Sequence, residues 1–279
     1  MDEENTLLGR VVAAPGGYAP EVLQAIDRQS GRRLLGLEDK PLPFHGADQW
    51  TVFELAWLDI SGRPQVGIAE IDIPCASPCT VESKSLKFYF HGLNNHRFAS
   101  LEVLEETIKT DISGVCQSPI GLQIDTIDDY ARKGLGSMAG ISLDTQDVDL
   151  VGMASQASPQ ADRLSVDMGS EIVTETLHSH LFRSNCPVTG QPDWASLQLS
   201  YRGQALRRES LLQYLLSYRE HRGFHEQCVE QIFLDVLEHC RPQALTVAAR
   251  FTRRGGIDIN PWRSTHATPG VLPERQGRQ

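Results

Sequence analysis

The chain has 279 residues, 40% hydrophobic and 22% charged, enough for one large or two modest globular domains and unlike a disordered chain. Its 36 acidic and 26 basic residues leave a formal charge of −10, which argues against unassisted binding of a nucleic-acid backbone. Met1 to Arg10 lack the layout of a secretory signal, no apolar run nears the about 20 residues of a membrane span, and 6 cysteines are too sparse for a disulfide scaffold. The expectation is a reduced, cytoplasmic protein.

Residues 1–48 form an N-terminal extension, with a short amphipathic stretch around Val22, Leu23 and Ile26 and then loop chemistry. From Trp50 on, Phe53, Leu55 and Trp57 alternate as in a strand, Ser61 to Pro64 make a turn, and Val66 to Ile73 form a second strand. Glu82 to His91 fits a strand or a helix. A helix with Phe98, Leu101, Leu104 and Ile108 on one face follows, then a strand through Ile120, Leu122 and Ile124. Residues 126–168 read as a connector rich in Asp, Gly, Ser and Gln. Strands at Glu171 to Phe182 and Trp194 to Tyr201 flank a tight loop, Asn185 to Pro192. Leu211, Leu212, Leu215 and Leu216 mark a helix, with Ser210 and Gln213 in capping-box spacing. A longer helix carries Val229, Ile232, Phe233, Val236, Leu237 and Cys240, and Leu245, Val247, Ala249 and Phe251 close with a strand.

The second half rewrites the first. A shift of 126 places Leu86 on Leu212, Phe90 on Leu216, Phe98 on Phe224 and Val103 on Val229. That repeat makes Ser83 to Leu93 helical. The predicted fold is α+β, two tandem modules (49–125 and 169–279) of antiparallel sheet with helices on one face, each running hairpin, two helices, strand.

The copies differ at residues that carry chemistry, which points to one composite site. Cys186 and Asp193 bracket a turn held by Pro187, Gly190 and Pro192, where the first copy has no thiol; the pair reads as nucleophile and proton donor, or as a packed cysteine with a turn-capping acid. Glu82 and Glu226 stand at helix starts, suited to accept N–H groups from a heterocycle or simply to complement the helix dipole. Ser83 and Lys84, and the run Arg250, Arg253, Arg254, Gly255, Gly256, suit phosphate or a solvated turn. There is no Gly-x-Gly-x-x-Gly after a strand, so any nicotinamide cofactor is not held by a Rossmann fold. Cys75, Cys79, His178 and His180 lack a usual zinc spacing, and no metal is expected.

Glu82-Ser83-Lys84-Ser85-Leu86-Lys87-Phe88-Tyr89, the segment Ser184 to Asp193, Phe224-His225-Glu226, and Phe251 to Gly256 together resemble the marks of the NADPH-dependent nitrile reductases that act on 7-cyano-7-deazaguanine (preQ0), in their long two-module form. The resemblance covers roughly residues 50 to 265. It implies the tunnelling fold, NADPH as cofactor, and reduction of preQ0 to the aminomethyl compound preQ1 through a covalent thioimide on Cys186, with Asp193 as proton donor. It implies that Val81, Glu82, Ser83, His225 and Glu226 bind the base and that Ser83, Lys84, Arg254 and Gly255 bind NADPH. It also implies queuosine synthesis for tRNA, with the base rather than RNA as ligand, and a homodimer. A cysteine-dependent nitrile or amide hydrolase and a non-catalytic purine-binding protein are the rival readings.

Overall fold

The computed structural model of the chain describes residues 15–38, 40–149, 158–269 and 271–279. The protein is α+β and divides into two compact units. Unit 1 comprises the chain up to Pro41, Ala47–Gly134 and Arg253–Ile259; unit 2 comprises Leu42–Gly46, Leu135–Thr252 and Asn260–Gln279. Among the described residues no helix is long and apolar enough to cross a membrane.

Unit 1 contains strand β1 (Ala25–Asp27), helix α1 (Arg28–Leu34), the hairpin β2 (His45–Leu58) and β3 (Pro64–Pro74), β4 (Cys79–Val81), helices α2 (Ser83–Leu93) and α3 (Leu101–Cys116), β5 (Gly121–Asp125) and α4 (Ile127–Arg132). Its sheet runs β5-β3-β2, antiparallel throughout, and β1 pairs antiparallel with β4. The apolar stretch around Ile26 is therefore no helix. Ile26 lies opposite Thr80 in β1, after a single 3-10 turn at Pro20–Val22. The side chain of Asp27 then caps α1 by accepting from the amides of Gln29 and Ser30.

Unit 2 contains the short β6 (Ile141–Ser142), the hairpin β7 (Ile172–Asn185) and β8 (Pro192–Gln204), helices α5 (Arg208–Leu216) and α6 (His225–Cys240), β9 (Ala244–Phe251) and β10 (Ile257–Ser264). β9 lies between β10 and β8, β8 pairs with β7, and β6 adds one parallel edge. Both halves thus run hairpin, two helices, strand. β10, which follows β9, is not foreseen from the sequence; Pro261 inside it removes a ladder donor and argues against a strand there.

The repeat resolves the ambiguous segment as it predicts, since α2 covers Ser83–Leu93 and buries Leu86, as α5 buries Leu212. The last aligned pair fails. Val103 is 47% exposed while Val229 is fully buried. α3 is capped by Ser100 and buries Leu104, Ile108, Ile112 and Cys116, so its inward face starts one residue later; Leu101 is exposed and Phe98 precedes the helix. The capping box at Ser210 is also absent. α5 starts two residues earlier, and the Ser210 hydroxyl donates back to the carbonyl of Arg207.

Each hairpin carries a bulge at a matching place, between Val52 and Leu55 in the first and between Ser179 and Phe182 in the second. A bulge inserts an unpaired residue and switches the parity of inward positions. Trp50 and Val52 point inward before it and Leu55 after it. Phe53, expected to share a face with Leu55, is only half-buried. Around these strands pack Leu86, Tyr89, Phe90, Leu104, Ile108 and Ile112 in unit 1. In unit 2, Leu177, Phe182, Leu197, Leu212, Ile232, Phe233 and Val247 are buried, together with an Arg263–Glu230 ion pair at 2.8 Å.

Candidate active site

The turn that joins β7 to β8 is fixed from both sides. The amide of Cys186 donates to the Gln191 carbonyl at 2.8 Å, and Gly190, at φ +66°, donates back to the Cys186 carbonyl at 3.0 Å. Gly190 is needed there because a side chain rarely adopts that φ. One residue earlier, the Asn185 amide donates to His221 and its carbonyl accepts from Gly223, so the loop before α6 grips the hairpin end. Cys186 is 8% exposed in this frame: reachable and not free to wander. Ser184 faces Asp193 across the ladder, which sets the acid at the start of β8.

Asp193 is buried, and its Oδ2 lies 3.4 Å from Nε2 of His225, the first residue of α6. The His225 ring stacks on Phe251 with centroids 3.8 Å apart and planes 7° from parallel. Its Nδ1 is buried with no hydrogen-bond partner among the described residues. The imidazole is thus held flat by an aromatic face, with one nitrogen toward a carboxylate. Glu226, next in α6, is buried as well, and Gln227 reaches back to the Phe224 amide at 3.4 Å to close the helix start. Cationic side chains gather beside the turn: Arg183, Arg219 and Arg278 each lie 5.5–5.7 Å from the ring of Trp194, the residue after Asp193.

The remaining cysteines differ. All are reduced and buried, and burial pushes Cys116, Cys228 and Cys240 up to about 12 and Cys79 upward. They remain neutral thiols near neutral pH. His178 and His180 also have ordinary partners, Nδ1 of His178 with the Ala139 carbonyl and Nδ1 of His180 with the Ser196 hydroxyl. Among the described residues no group of three or more His, Cys, Asp or Glu is placed to hold a metal ion.

In unit 1, Val81 ends β4 and is paired with Ala25, leading directly into α2. Glu82 caps α2: its two carboxylate oxygens accept the Lys84 and Ser85 amides at 2.7 and 2.6 Å, and it is fully buried. A carboxylate at this place complements the positive end of the helix and is held rigid by it. Ser83 and Lys84 open the helix, half-buried. Arg254 is half-buried in the turn before β10, where its amide donates to Ile257; Gly255 and Gly256 follow with φ of +59° and +77°.

Lys87, one helical turn beyond Lys84, stands in the quoted motif but has no role assigned to it from the sequence. A Cβ on Gly255 would sit 3.2 Å from the Lys87 Cε. The two residues line one recess in unit 1 with Glu54, His91, Asn94 and Gly256. The only signal for Lys87 was its i, i+3 spacing from Lys84.

A buried thiol in a fixed turn, followed in the next strand by a buried acid that meets a stacked imidazole, has the make-up of a thiol-dependent enzyme site. Residues 15–124 match the family described as nitrile reductase, 7-cyano-7-deazaguanine-reductase N-term, and residues 192–269 match the family QueF-like protein. A protein of Stenotrophomonas maltophilia named NADPH-dependent 7-cyano-7-deazaguanine reductase is 48% identical over 96% of this chain and 94% of its own. Proteins of the same name from Ralstonia nicotianae and Chromohalobacter salexigens are each 44% identical over 99% of this chain, covering 99% and 97% of theirs. Among solved structures, the apo form of the archaeosine synthase QueF-Like aligns with 35% of this chain and 96% of that chain, at 18% identity and a TM-score of 0.31. The chain belongs to the NADPH-dependent 7-cyano-7-deazaguanine reductase family.

Proposed function

We propose that this protein reduces the nitrile of 7-cyano-7-deazaguanine to the aminomethyl group, using NADPH. The observation that carries the reading is the fixed, buried Cys186 turn leading into the strand whose buried Asp193 meets His225, in a chain nearly half identical to reductases over almost their full length.

A nitrile carbon accepts hydride poorly until a nucleophile has added to it. In this reading the Cys186 sulfur adds to that carbon as Asp193 gives a proton to the nitrogen, which makes a thioimide. NADPH, when bound, supplies hydride, one for each of two reductions. After the first, the carbon–sulfur bond breaks and Cys186 recovers its electron pair, leaving an imine; after the second and a further proton, the amine is complete. Two NADPH and two protons are consumed per nitrile. His225 sits where it can restore the proton on Asp193 between steps. Glu82 and Glu226 accept N–H groups of the deazaguanine, with Val81 and Ser83 beside them. Glu82 is suited to this because the α2 amides keep it rigid and use only part of its acceptor capacity.

The residues of unit 1 fit a dinucleotide. Lys84 and Arg254 supply cations, the glycines of the 255–256 turn leave its backbone open, and one buried acceptor, Asn94 Oδ1, has no partner among the described residues. This reading carries a cytoplasmic homodimer supplying a precursor of queuosine in tRNA, checked by sedimentation velocity, cell fractionation and nucleoside analysis of a deletion strain. It keeps 49–125 and 169–279 as the two modules, with 1–48 and 126–168 outside them; limited proteolysis checks those limits.

The decisive experiment follows NADPH absorbance with purified protein and the nitrile. About two NADPH consumed per nitrile, and none with Cys186→Ala, is the expected result. Acid formed without NADPH consumption overturns it in favour of a hydrolase.

A further inference from the structure

In unit 2 the ladder between β9 and β10 joins Thr246, Val247 and Ala248 to Ser264, Arg263 and Trp262. Pro261 comes next in β10 and has no amide to offer. Among the described residues the ladder goes no further, so β9 runs on to Phe251 past its last pair. A side chain distant in sequence meets it there. Nε2 of Gln279 donates to the Phe251 carbonyl at 3.2 Å and to Oδ1 of Asn260 in β10 at 2.7 Å. The other end of the same side-chain amide, Oε1, accepts from the Gln276 amide at 3.0 Å, and the Gln279 main-chain amide donates to the Gln276 carbonyl at 3.1 Å. Gln279 is buried. A buried amide satisfied at both ends is fixed in place, because moving it would leave buried acceptors unpaired.

The peptide group that Gln279 holds is tied on its other side as well. Its N–H, that of Thr252, donates to the Trp194 carbonyl at 2.9 Å. Trp194 follows Asp193 in β8, and the Phe251 ring carries the His225 imidazole at 3.8 Å. One peptide plane thus joins the strand beside the acid to the residue beneath the imidazole. Arg278, next to Gln279, donates from Nη1 to the His180 carbonyl at 3.1 Å and lies 5.7 Å from the Trp194 ring. We propose that Gln279 is a positioning residue for the Asp193–His225 pair: by fixing the Phe251–Thr252 peptide it sets the distance between carboxylate and imidazole. This rests on the reductase reading above and assigns a role to a residue outside the motif segments. The pair stands at 3.4 Å, at the outer limit of hydrogen-bond reach. Further drift of the ring therefore slows proton transfer, while the carboxylates proposed to hold the base stay on their helices.

Steady-state kinetics well below the melting temperature test this. Gln279→Met keeps the length and bulk of the side chain and loses both donors. It is expected to lower kcat about tenfold and to leave KM for the nitrile and for NADPH within about twofold. Gln279→Asn keeps the amide but shortens its reach by one carbon, and a loss of about threefold is expected; it carries the test if Gln279→Met fails to fold. Gln198→Leu is the control for mere loss of a buried amide. Gln198 accepts from the Ala139 amide at 3.1 Å and donates to the Val271 carbonyl at 2.8 Å, away from the pair. This control should melt earlier with kcat within about twofold of the unaltered protein. The route is tested in a Phe251→Leu background, which lacks the ring under the imidazole; there Gln279→Met should cost less than about twofold more. An unchanged kcat in the Gln279 variants, losses equal to that of Gln198→Leu, or additive losses with Phe251→Leu overturn the assignment and leave the reductase reading standing. No consumption of NADPH with the nitrile by the unaltered protein overturns both.

Discussion

The two hairpin ends occupy matching places in the two units and use a carboxylate in opposite ways. In the first, Asp59 is half-buried and spends its oxygens on its own loop, accepting from the Ser61 and Arg63 amides at 2.9 and 3.0 Å, with Gln65 at 3.0 Å on the other side. In the second, Asp193 is buried next to an imidazole; the backbone closes both turns alike, Asp59 bonding to Arg63 and Gly62 in the first and Cys186 to Gln191 and Gly190 in the second. With the same main-chain closure, one turn spends its carboxylate on its own loop and the other sets a carboxylate against a histidine. The helix starts diverge in the reverse direction. Glu82 caps α2 with two short bonds, whereas α5 starts at an uncapped Arg207 and Arg208 merely reaches Glu175 at 3.4 Å. In the proposed reading, each unit uses one of these ends for the site and the other for structure.

The widest contrast expected from this division is among the thiols. A thiol with a pKa of about 12 is ionised to roughly one part in ten thousand at pH 8. Brief iodoacetamide treatment of the folded protein should therefore label Cys186 and spare Cys116, Cys228 and Cys240; peptide mass mapping that finds Cys228 modified first would break the comparison. Next comes the acid pair. Asp193→Asn should lower kcat by roughly a hundredfold or more with little change in melting temperature, as expected for a lost proton donor. Asp59→Asn should leave kcat unchanged. Equal losses in the two variants would show that the hairpin ends have not diverged in role.

The helix starts predict a smaller difference. Glu82→Ala removes a cap and a base-binding acceptor, so denaturant melts should show a loss of about 1–2 kcal/mol and the KM for the nitrile should rise about tenfold. Arg208→Ala, at a half-exposed pair, should shift stability by about 0.5 kcal/mol or less and leave kinetics alone. The smallest effect concerns acid. The Ser61 hydroxyl and the Arg63 amide hold Asp59 below its ordinary value. Its contribution to stability is then present above the ordinary carboxylate value and fades as pH falls below about 4. Melting temperatures of Asp59→Asn and the unaltered protein should converge in that range, and divergence there would refute the assignment.

What could be read from the sequence was whatever depends on local order. The helical state of Ser83–Leu93 followed from the repeat, and the marks around Glu82, Cys186 and His225 identified the family before any geometry was known. What could not be read depends on non-local geometry. An extra residue in a strand leaves no trace in composition, so Phe53 was grouped with Leu55 although the bulge separates their faces. The inward stripe of α3 starts at Leu104 because Ser100 caps the helix, a choice that the apolar Leu101 obscures. Lys87 stands in the motif, yet only its contact with Gly255, far away in sequence, marks it as more than a surface lysine. That Asp193 would lie beside His225 depends on where α6 begins, which periodicity places only to within a residue or two.

The matching bulges act as a phase setting. Ahead of Ser179 the odd-numbered residues of β7 face the core, and past Phe182 the even-numbered ones do. The thiol turn inherits the second phase, so the side on which Cys186 emerges is decided by one uncounted residue several positions upstream. Deleting a single residue between Ser179 and Phe182 would keep every side chain proposed for catalysis and every hydrophobic residue of the core helices, yet turn the hairpin end half a step about its own axis. The active chemistry of this protein is therefore indexed as much by a count of residues as by their identity.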